Sequence, residues 1–367
     1  MALTILQVAY PLAPVGPDSV GGAEQIVYHL DRGLTARGHS SLVLAARGSR
    51  PCGTHIPVPA APAPYDDGAK AAAQATHRRA IVQALENHPV DLVHLHGIDA
   101  LEYLPPPGVP VLITLHLPPD WYPPAIWATG RPDTWLVPVS DSQRRACPDS
   151  PALLPPVPNG VPVADLAWRG TKAGFTAALG RICPEKGFDQ AVAAAKMADV
   201  PLLIAGRLYP YAAHQDYFRT VLAPALDRRR RFLGPLGPVG KRRLMGMARA
   251  VLIPSLCAET ASLVAMEAAA CGTPVIAFPH GALPEVVVQG KTGFLVPDAA
   301  AMADAIGQAG RIDGEECRAV AQARFSLDRM VDGYLDTYRR ILNQATAQPA
   351  PALPTPALPT PALPGHG

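Results

Sequence analysis

The sequence has few charged residues and no excess of either sign. Lys and Arg number 32 and Asp and Glu 30, which gives a net charge of +2, and charged residues make up only 17% of the chain. A dedicated nucleic-acid binder carries a strong basic excess, so we expect no nucleic-acid partner. Hydrophobic residues fill 49% of the 367 positions, which is enough to build the cores of about two domains.

Long apolar runs and paired cysteines are also missing. No uncharged apolar stretch reaches the ~20 residues that a membrane-spanning helix needs. The first residues carry no positive charge ahead of their apolar run, so we expect no secretory signal. The six cysteines are scattered, and none has the C-x-x-C spacing of a zinc site or a redox dithiol. These absences predict reduced thiols and a cytoplasmic protein.

Proline, by contrast, is abundant, with 43 residues, and part of this excess lies at the end of the chain. The segment 348–367 repeats A-L-P-T-P and has no pattern that could bury a face. We therefore predict a disordered Ala- and Pro-rich tail over 344–367. A docking peptide for a proline-binding partner is the alternative.

Short apolar strands alternate with helices on both sides of a turn-rich stretch at 151–170. Strands are predicted at 4–9, 42–45, 91–95, 109–116, 135–139, 175–179, 202–205, 231–233, 251–254, 274–277 and 294–296. Helices are predicted at 23–38, 69–87, 188–197, 214–230, 239–248, 263–270, 298–309, 313–324 and 327–343. This alternation predicts an α/β fold of two doubly wound, Rossmann-like domains, 1–165 and 166–326, that face each other across a crevice.

Two loops that follow predicted strands carry residues suited to bind phosphate. Gly21 and Gly22 stand before the first helix, where backbone amides can form an anion site, and a simple turn with a helix cap is an equal alternative. The segment LGRICPEKG at 179–187 carries Arg181 and Lys186, and two cations at the end of a strand can neutralise a diphosphate. Two solvated loop cations are the alternative there.

A third segment, SLCAETASLVAMEAAACGTPVIAF at 255–278, carries two carboxylates eight residues apart. Glu259 falls in the loop after a strand, and Glu267 about two turns into the next helix. The amides of that helix start, at 262–264, would face the crevice and bind phosphate. Glu259 could instead complement the helix dipole, and Glu267 could be a solvated charge. The Ala-, Met- and Cys-rich helix favours a carboxylate that has hydrogen-bond donors.

Three histidines lie on or at the end of predicted strands. His94 and His96 share one strand face, which resembles metal-ligand spacing, but no suitable third ligand and no D-x-D motif accompany them. We therefore predict packed or hydrogen-bonded histidines and no metal site. His116 ends its strand near the crevice, and we expect it to contact a ligand.

These segments, in this order, resemble the retaining glycosyltransferases of family 4, which have the GT-B fold. The matching segments are VGGAEQIVYHL, DLVHLHG, LITLHLPP, PNGVPV, ALGRICPEKGFDQAVAAA, FLGPL, ETASLVAMEAAACGTPVIAF and GKTGFLVPD. They span about residues 1–340, and the combination of G-R-x-x-x-E-K-G, E-x7-E and C-G-T-P-V is specific.

The resemblance implies a donor site. Arg181 and Lys186 would hold the diphosphate of a nucleotide-sugar, Glu259 would meet the hydroxyls of the transferred sugar, and Glu267 would accept from the ribose hydroxyls. His116 would lie near the anomeric carbon. The other donor-binding positions that the resemblance implies are Gly22, Gly180, Gly234, Leu236, Ser262, Leu263 and Val264.

The resemblance also implies a reaction. A hexosyltransferase-type enzyme would move a sugar, with retention, from a nucleotide-sugar to a sugar, lipid or small-molecule acceptor, and a UDP-sugar is the first choice of donor. No metal or other cofactor would be needed, because fixed cations and amides stabilise the leaving diphosphate. The final helix, about 327–343, would cross back to the first domain.

Two departures from the family pattern keep other functions open. The turn E-G-F-G-L-V of many members is ETASLV here, so Thr260 and Ser262 lack the freedom of glycine. Ala282 replaces a second glycine in HGALPE, in which Glu285 is kept. The altered turn favours, as the main alternative, a non-catalytic GT-B protein that binds a nucleotide-sugar or a partner. An epimerase or a phosphorylase on the same architecture is a third hypothesis.

Two weaker features have a functional and a structural interpretation each. Trp121, Tyr122 and Trp127 follow His116 and could stack on an acceptor sugar, while ordinary loop packing is an equal alternative. The basic run Arg228–Arg231 could contact anionic lipid at the inner membrane or an acidic partner, but a solvated helix end is the favoured interpretation.

Overall fold

The structure is a computed structural model that describes residues 2–11, 14–19, 21–60 and 66–347, and these residues form two six-stranded sheets. The first sheet contains β1 (Thr4–Val8), β2 (Ser40–Ala46), β3 (Thr54–Val58), β4 (Leu92–Leu95), β5 (Val111–Leu115) and β6 (Thr134–Pro138). The second contains β7 (Thr176–Leu179), β8 (Leu202–Ala205), β9 (Arg230–Phe232), β10 (Ala250–Ile253), β11 (Val275–Ala277) and β12 (Gly293–Leu295). The strand orders are β3-β2-β1-β4-β5-β6 and β12-β11-β10-β7-β8-β9.

Helices connect the strands. They are α1 (Gly22–Ala36), α2 (Asp67–Asn87), α3 (Asp141–Ala146), α4 (Val163–Leu166), α5 (Phe188–Met197), α6 (Ala212–Tyr217), α7 (Ala223–Ala225), α8 (Pro238–Met247), α9 (Leu263–Ala270), α10 (Leu283–Val286), α11 (Ala299–Gln308), α12 (Gly314–Phe325) and α13 (Leu327–Ala347). Among the helices in the described ranges, none combines the length and apolar composition that crossing a membrane requires.

The predicted fold class is confirmed, because each sheet is parallel and buried on both faces. Val251 and Leu252 are neighbours on β10, yet they pack into different apolar clusters on opposite sides of the second sheet. Strands covered on both faces need continuous apolar runs, which is the pattern that revealed them in the sequence. The edge strand β3 was missed because it is only partly buried and contains Pro57.

One predicted helix is wrong in its second half. The helix predicted at 214–230 is observed as α6, a π-helical turn at Phe218–Leu222, and α7, and it ends at Ala225. The run Arg228–Arg231 therefore lies on a loop and on β9 rather than at a helix end. Arg230 is buried and pairs with Asp227, so the run is not a continuous exposed basic surface.

The chain changes domain slightly before the predicted boundary at 165. The short helix α4, which that boundary divides, packs on α9 and α12 of the second domain, and Val161 already belongs to the same apolar cluster. The predicted tail also begins too early, because α13 continues to Ala347. Residues 348–367 lie outside the described part of the chain.

The helix α13 returns to the first domain. Its buried face, which includes Met330, Val331 and Leu335, packs with α1 and with residues of the first sheet in one apolar cluster. A second link joins the domains at Glu285 of α10. Its carboxylate accepts from the backbone amides of Asp141 and Ser142, at 3.1 and 2.5 Å, and so binds the start of α3. These contacts fix the crevice between the sheets.

Candidate active site

Most of the predicted site residues lie on two loops at the carboxyl ends of neighbouring strands. The loop 180–187 follows β7 and the loop 254–262 follows β10, and these two strands are hydrogen-bonded to each other. The strand order reverses between them, since β8 and β9 lie beyond β7 whereas β11 and β12 lie beyond β10. This is the switch point at which open α/β sheets bind ligands.

The two loops are packed directly against each other. Gly187 has φ +60°, and a Cβ at this position would lie 2.3 Å from the carbonyl oxygen of Pro254. The amide of Leu256 donates to the carbonyl of Glu185 at 2.8 Å. Glycine is therefore required at 187 both for its backbone conformation and for the close approach.

Arg181 and Lys186, the two residues predicted to bind the diphosphate, have different surroundings. Lys186 Nζ donates to Glu259 Oε1 at 2.5 Å, and the hydroxyl of Ser255 donates to the same oxygen. The Arg181 side chain is exposed, and within the described ranges it has no hydrogen-bond partner. An anion bound at these two loops could contact the Arg181 guanidinium directly, whereas it would have to share the Lys186 ammonium with Glu259. The Glu259 carboxylate therefore accepts from Lys186 and Ser255 rather than from the backbone amides at the start of α9.

The starts of α1 and α9 meet across the crevice. Leu263 is the first residue of α9, and a Cβ at Gly22, the first residue of α1, would lie 3.4 Å from its Cδ1 atom. Ser262, which precedes α9, has φ +55° and makes no side-chain capping hydrogen bond. The amides of Leu263 and Val264 at this helix start therefore lack a capping side chain, and such amides favour an anion.

A carboxylate that the sequence analysis did not single out lies at the start of α1. Glu24 is buried in the first turn of this helix, and its Oε2 lies only 1.8 Å from where a Cβ of Gly21 would be. Burial raises the pKa of Glu24, against the effect of its own backbone amide. Since Glu24 already faces this helix start, α9 offers the better anion site of the two.

Glu267 is buried in α9 and has a partner that sequence reasoning missed. Lys241, in the first turn of α8, donates from Nζ to Glu267 Oε1 at 2.6 Å. The other oxygen, Oε2, is buried and has no hydrogen-bond partner among the described residues. A buried carboxylate oxygen without a donor is costly, and a ligand hydroxyl would satisfy it. The only sequence signal for Lys241 was the basic run 241–243.

The three histidines lie together in one group, in which His94 and His96 are buried and His116 is half-buried. His116 Nε2 lies 3.0 Å from His96 Nδ1, and His96 Nε2 lies 3.0 Å from Oε1 of Gln7 on β1. His94 lies on the same face of β4, with its ring centroid 4.0 Å from that of His96. It bonds Tyr338 of α13 at 2.8 Å and Thr114 of β5 at 2.7 Å. Hydrogen bonding thus explains His94 and His96, as the sequence predicted.

This group keeps His116 neutral and oriented. Burial lowers the pKa of His116 to about 4. Burial also lowers the pKa of His94 and of His96, and repulsion between the positively charged forms of the neighbouring histidines acts in the same direction. If the Gln7 oxygen accepts from His96 Nε2, then His96 Nδ1 must accept from His116, which leaves His116 Nδ1 as an acceptor. Gln7, a polar residue within an apolar strand, was the missed signal.

The predicted donor-binding residues Gly180, Gly234 and Leu236 follow the neighbouring strand ends. Gly180 bonds its amide to the carbonyl of Ala205 at 3.1 Å, and the carbonyl of Gly234 accepts from Gly206 at 3.0 Å. These bonds link the loops after β7, β8 and β9. Leu236 is half-buried and packs against the core of the second domain. Gly180, Gly234 and Leu236 therefore lie at the same carboxyl-end edge of the second sheet, on the side of β7 that faces away from Glu259.

The two departures from the family pattern have defined structural roles. The hydroxyl of Thr260 donates to the carbonyl of His116 at 3.0 Å, so the altered turn is hydrogen-bonded to the opposite domain. Gly281 has φ +63°, and a Cβ there would lie 2.3 Å from the Glu259 carbonyl oxygen. Its neighbour Ala282 donates its amide to the same carbonyl at 2.8 Å. Gly281 thus lies where the close approach to the backbone of Glu259 requires a glycine. Ala282 fits the position where many family members have a second glycine.

The aromatic loop after β5 divides into a packed part and an exposed part. Tyr122 is 4% exposed, its hydroxyl accepts from the amide of Leu117, and Trp127 packs against the core. Trp121 is 44% exposed. Ordinary packing therefore accounts for two of the three rings.

Two family models match the chain, one on each domain. A model of Glycosyltransferase Family 4 matches residues 20–164, and a model of Glycosyl transferases group 1 matches residues 174–310. Together they cover about three quarters of the chain, in the order that the sequence motifs predicted. The chain belongs to glycosyltransferase family 4. The matched segments contain Gly22 and His116 in the first domain of this family 4 protein and Arg181, Lys186, Glu259 and Glu267 in the second.

Curated relatives of this family 4 protein include D-inositol 3-phosphate glycosyltransferases of mycobacteria. The protein of Mycobacterium leprae is 36% identical over 181 residues, which is 46% of this chain and 42% of the relative. The protein of Mycobacterium tuberculosis is 35% identical over 185 residues, which is 46% of this chain and 38% of the relative. The matched segment therefore spans about two fifths of the length of these relatives.

Solved structures share the GT-B fold of this family 4 protein over nearly its whole length. Sucrose-phosphate synthase from Thermosynechococcus elongatus has a TM-score of 0.74 at 21% identity, covering 93% of this chain and 100% of that one. AviGT4, a glycosyltransferase involved in avilamycin A biosynthesis, has a TM-score of 0.69 at 23% identity and covers 93% and 98%. HepE from Anabaena, in complex with UDP-glucose, has a TM-score of 0.67 at 16% identity and covers 94% and 100%.

Proposed function

We propose that this chain is a retaining glycosyltransferase that transfers a sugar from a UDP-sugar to a small hydroxyl acceptor. One observation carries the proposal. The ends of β7 and β10 bring together an exposed guanidinium, the Lys186–Glu259 pair and the start of α9. In α9, one buried oxygen of Glu267 has no donor among the residues that the structure describes. This combination suits a diphosphate next to a ribose. UDP and UDP-glucose, bound in HepE structures, support the choice of donor.

Each group has a role in this proposal that follows from its charge. Breaking the anomeric bond places negative charge on the leaving diphosphate, which Arg181, Lys186 and the amides at 263–264 stabilise. Glu259 and the ring of His116 accept from sugar hydroxyls, and Glu267 Oε2 accepts from the ribose. Cations and amides that are already in place need no reorganisation, so the proposed reaction needs no metal ion.

Retention follows, in this proposal, from attack on the same face that the leaving group departs from. The acceptor hydroxyl approaches beside the diphosphate, and a phosphate oxygen takes its proton as the new glycosidic bond forms. This route requires no carboxylate nucleophile. Glu259 is engaged by both Lys186 and Ser255, which suits it to position hydroxyls rather than to attack carbon.

The test is a turnover assay with the full-length protein. UDP release from UDP-glucose and other UDP-sugars is measured with a panel of acceptors that begins with D-inositol 3-phosphate, the acceptor in the names of the mycobacterial relatives. NMR of the product should show the same anomeric configuration as the donor, and EDTA should not reduce the rate. Inversion of configuration would contradict the mechanism. UDP-sugar binding without turnover on any acceptor would favour the non-catalytic alternative.

A matched pair of arginine variants tests the site itself. Arg181→Ala should lose most turnover, by about 100-fold or more, while retaining its fold, because one preorganised charge is worth a few kcal/mol to such a transition state. Arg207→Ala is the control, since Arg207 is also exposed and lies on the neighbouring loop after β8. Near-normal turnover by folded Arg181→Ala would refute the assignment.

A further inference from the structure

A second cluster of reactive side chains lies beside the donor loop, and the proposed transfer does not use it. Cys183 and Glu185 belong to the loop after β7, and His214 belongs to α6. The Cys183 sulfur, a Glu185 carboxylate oxygen and a ring nitrogen of His214 all lie within 4.8 Å of one another. In the described ranges, no other group of three such side chains approaches this closely.

The ring of His214 carries an independent signal of a missing partner. Its Nδ1 atom is buried and has no hydrogen-bond partner among the described residues. The ring is held edge-on against Tyr211, with centroids 5.1 Å apart. Buried nitrogen atoms in native proteins are nearly always hydrogen-bonded, so an orphaned nitrogen on a ring that approaches a thiol and a carboxylate points to an absent ligand.

The types of donor atom define the class of ligand. Thiolate, imidazole and carboxylate are the three side-chain groups that bind zinc, whereas magnesium and calcium prefer oxygen alone. The Cys183 thiolate and the Glu185 carboxylate together balance the charge of a divalent ion. Cys183 is buried but Glu185 is at the surface, which gives an ion a way in.

We propose that Cys183, Glu185 and His214 form a binding site for a zinc-type divalent ion, with a fourth position left to water. On binding, a metal–sulfur bond forms and the thiol proton leaves to solvent. Burial raises the pKa of Cys183 to about 11, and Arg181 and Lys186 act in the opposite direction, so the ion must displace a held proton, as metals do at protein thiols. The ion ties α6 to the donor loop and takes no part in the sugar transfer.

This site is independent of the proposed function, and its test needs no substrate. The full-length protein, stripped of metal, is titrated with Co²⁺, which reports a cysteine ligand through a thiolate-to-cobalt charge-transfer band, and Zn²⁺ is then added to displace it. We expect one Co²⁺ per chain, loss of the band with Zn²⁺, and a higher unfolding temperature with Zn²⁺ bound.

Variants separate a three-ligand site from a lone reactive cysteine. Cys183→Ser should abolish the band, and Glu185→Gln and His214→Gln should each weaken binding by about tenfold or more. Cys257→Ser is the control, since Cys257 lies in the neighbouring loop after β10 and is partly buried; this variant should bind Co²⁺ normally. Absence of the band in the wild-type protein would overturn the proposal. Equal affinity in the wild type and in folded His214→Gln would overturn it as well.

Discussion

At the scale of single residues, the site combines groups that are satisfied with a few that are not. The Glu259 carboxylate has Lys186 and Ser255 as donors, whereas Glu267 retains one buried oxygen that no described residue bonds. Ser262 holds a left-handed backbone conformation that glycine adopts more easily. Such local costs are typical of functional sites, where the surrounding structure enforces them.

Replacing Ser262 by glycine should therefore stabilise the protein. At φ +55° a serine side chain costs about 1 kcal/mol of strain, part of which is offset because glycine makes the unfolded chain more flexible. We expect Ser262→Gly to raise the free energy of unfolding by about 0.5 kcal/mol, measured by urea denaturation. The control is Ala261→Gly at the preceding position, where φ is not positive; it should destabilise. A loss of stability in Ser262→Gly would contradict the strain argument.

The histidine group around His116 predicts a dependence of stability on pH. Burial lowers the pKa of His116 to about 4 from an ordinary value of 6.5, so between these pH values the unfolded chain binds a proton that the folded chain does not. The free energy of unfolding is therefore unaffected by His116 above pH 6.5 and falls as the pH drops from 6.5 towards 4.

The variant that checks this is His116→Gln, whose side-chain amide can still reach His96. Its slope of unfolding free energy against pH should be smaller by up to about 1.4 kcal/mol per pH unit in this window. Urea denaturation at several pH values between 4.5 and 7 measures the slope. Identical slopes in the two proteins would show that His116 is not held neutral by the fold.

At the scale of secondary-structure elements, the sequence predicted the helices and strands that have a clear apolar periodicity. It did not reveal the features that depend on tertiary contacts. The bounds of α5, β8 and α9 agree residue for residue with the prediction, since each has an uninterrupted apolar pattern. The helix after β8 was predicted too long because charged residues after Ala225 continue a helical composition while the chain turns into β9. The Lys241–Glu267 pair joins two helices, and no local pattern reveals such a pair.

The contact between α13 and the first sheet includes one hydrogen bond whose loss can be measured. The hydroxyl of Tyr338, at the buried face of α13, lies 2.8 Å from His94 Nδ1. Tyr338→Phe should lower the free energy of unfolding by about 1–2 kcal/mol, because a buried ring nitrogen loses its partner. Tyr211→Phe is a suitable control, since Tyr211 is 54% exposed. Equal stability of both variants would mean that this bond does not hold the helix.

At the scale of the whole molecule, two similar sheets present their switch points to a common crevice, and several contacts hold the two domains together. Thr260 bonds His116, Glu285 binds the start of α3, and α13 packs on α1. The motifs indicated which loops would carry the proposed donor site, because carboxyl ends of parallel strands meet at one edge. The identity of the acceptor was not predictable, since irregular loops of the first domain shape that side.

The measurement that tests the account most directly is calorimetric binding of UDP to the full-length protein and to two arginine variants. We predict that UDP binds the wild type, that Arg181→Met weakens binding by at least about tenfold, which corresponds to ~1.4 kcal/mol, and that Arg207→Met binds like the wild type. Thermal unfolding must show that both variants are folded. Equal binding of UDP by wild type and Arg181→Met, or no binding of UDP by the folded wild type, would contradict a donor site at the ends of β7 and β10.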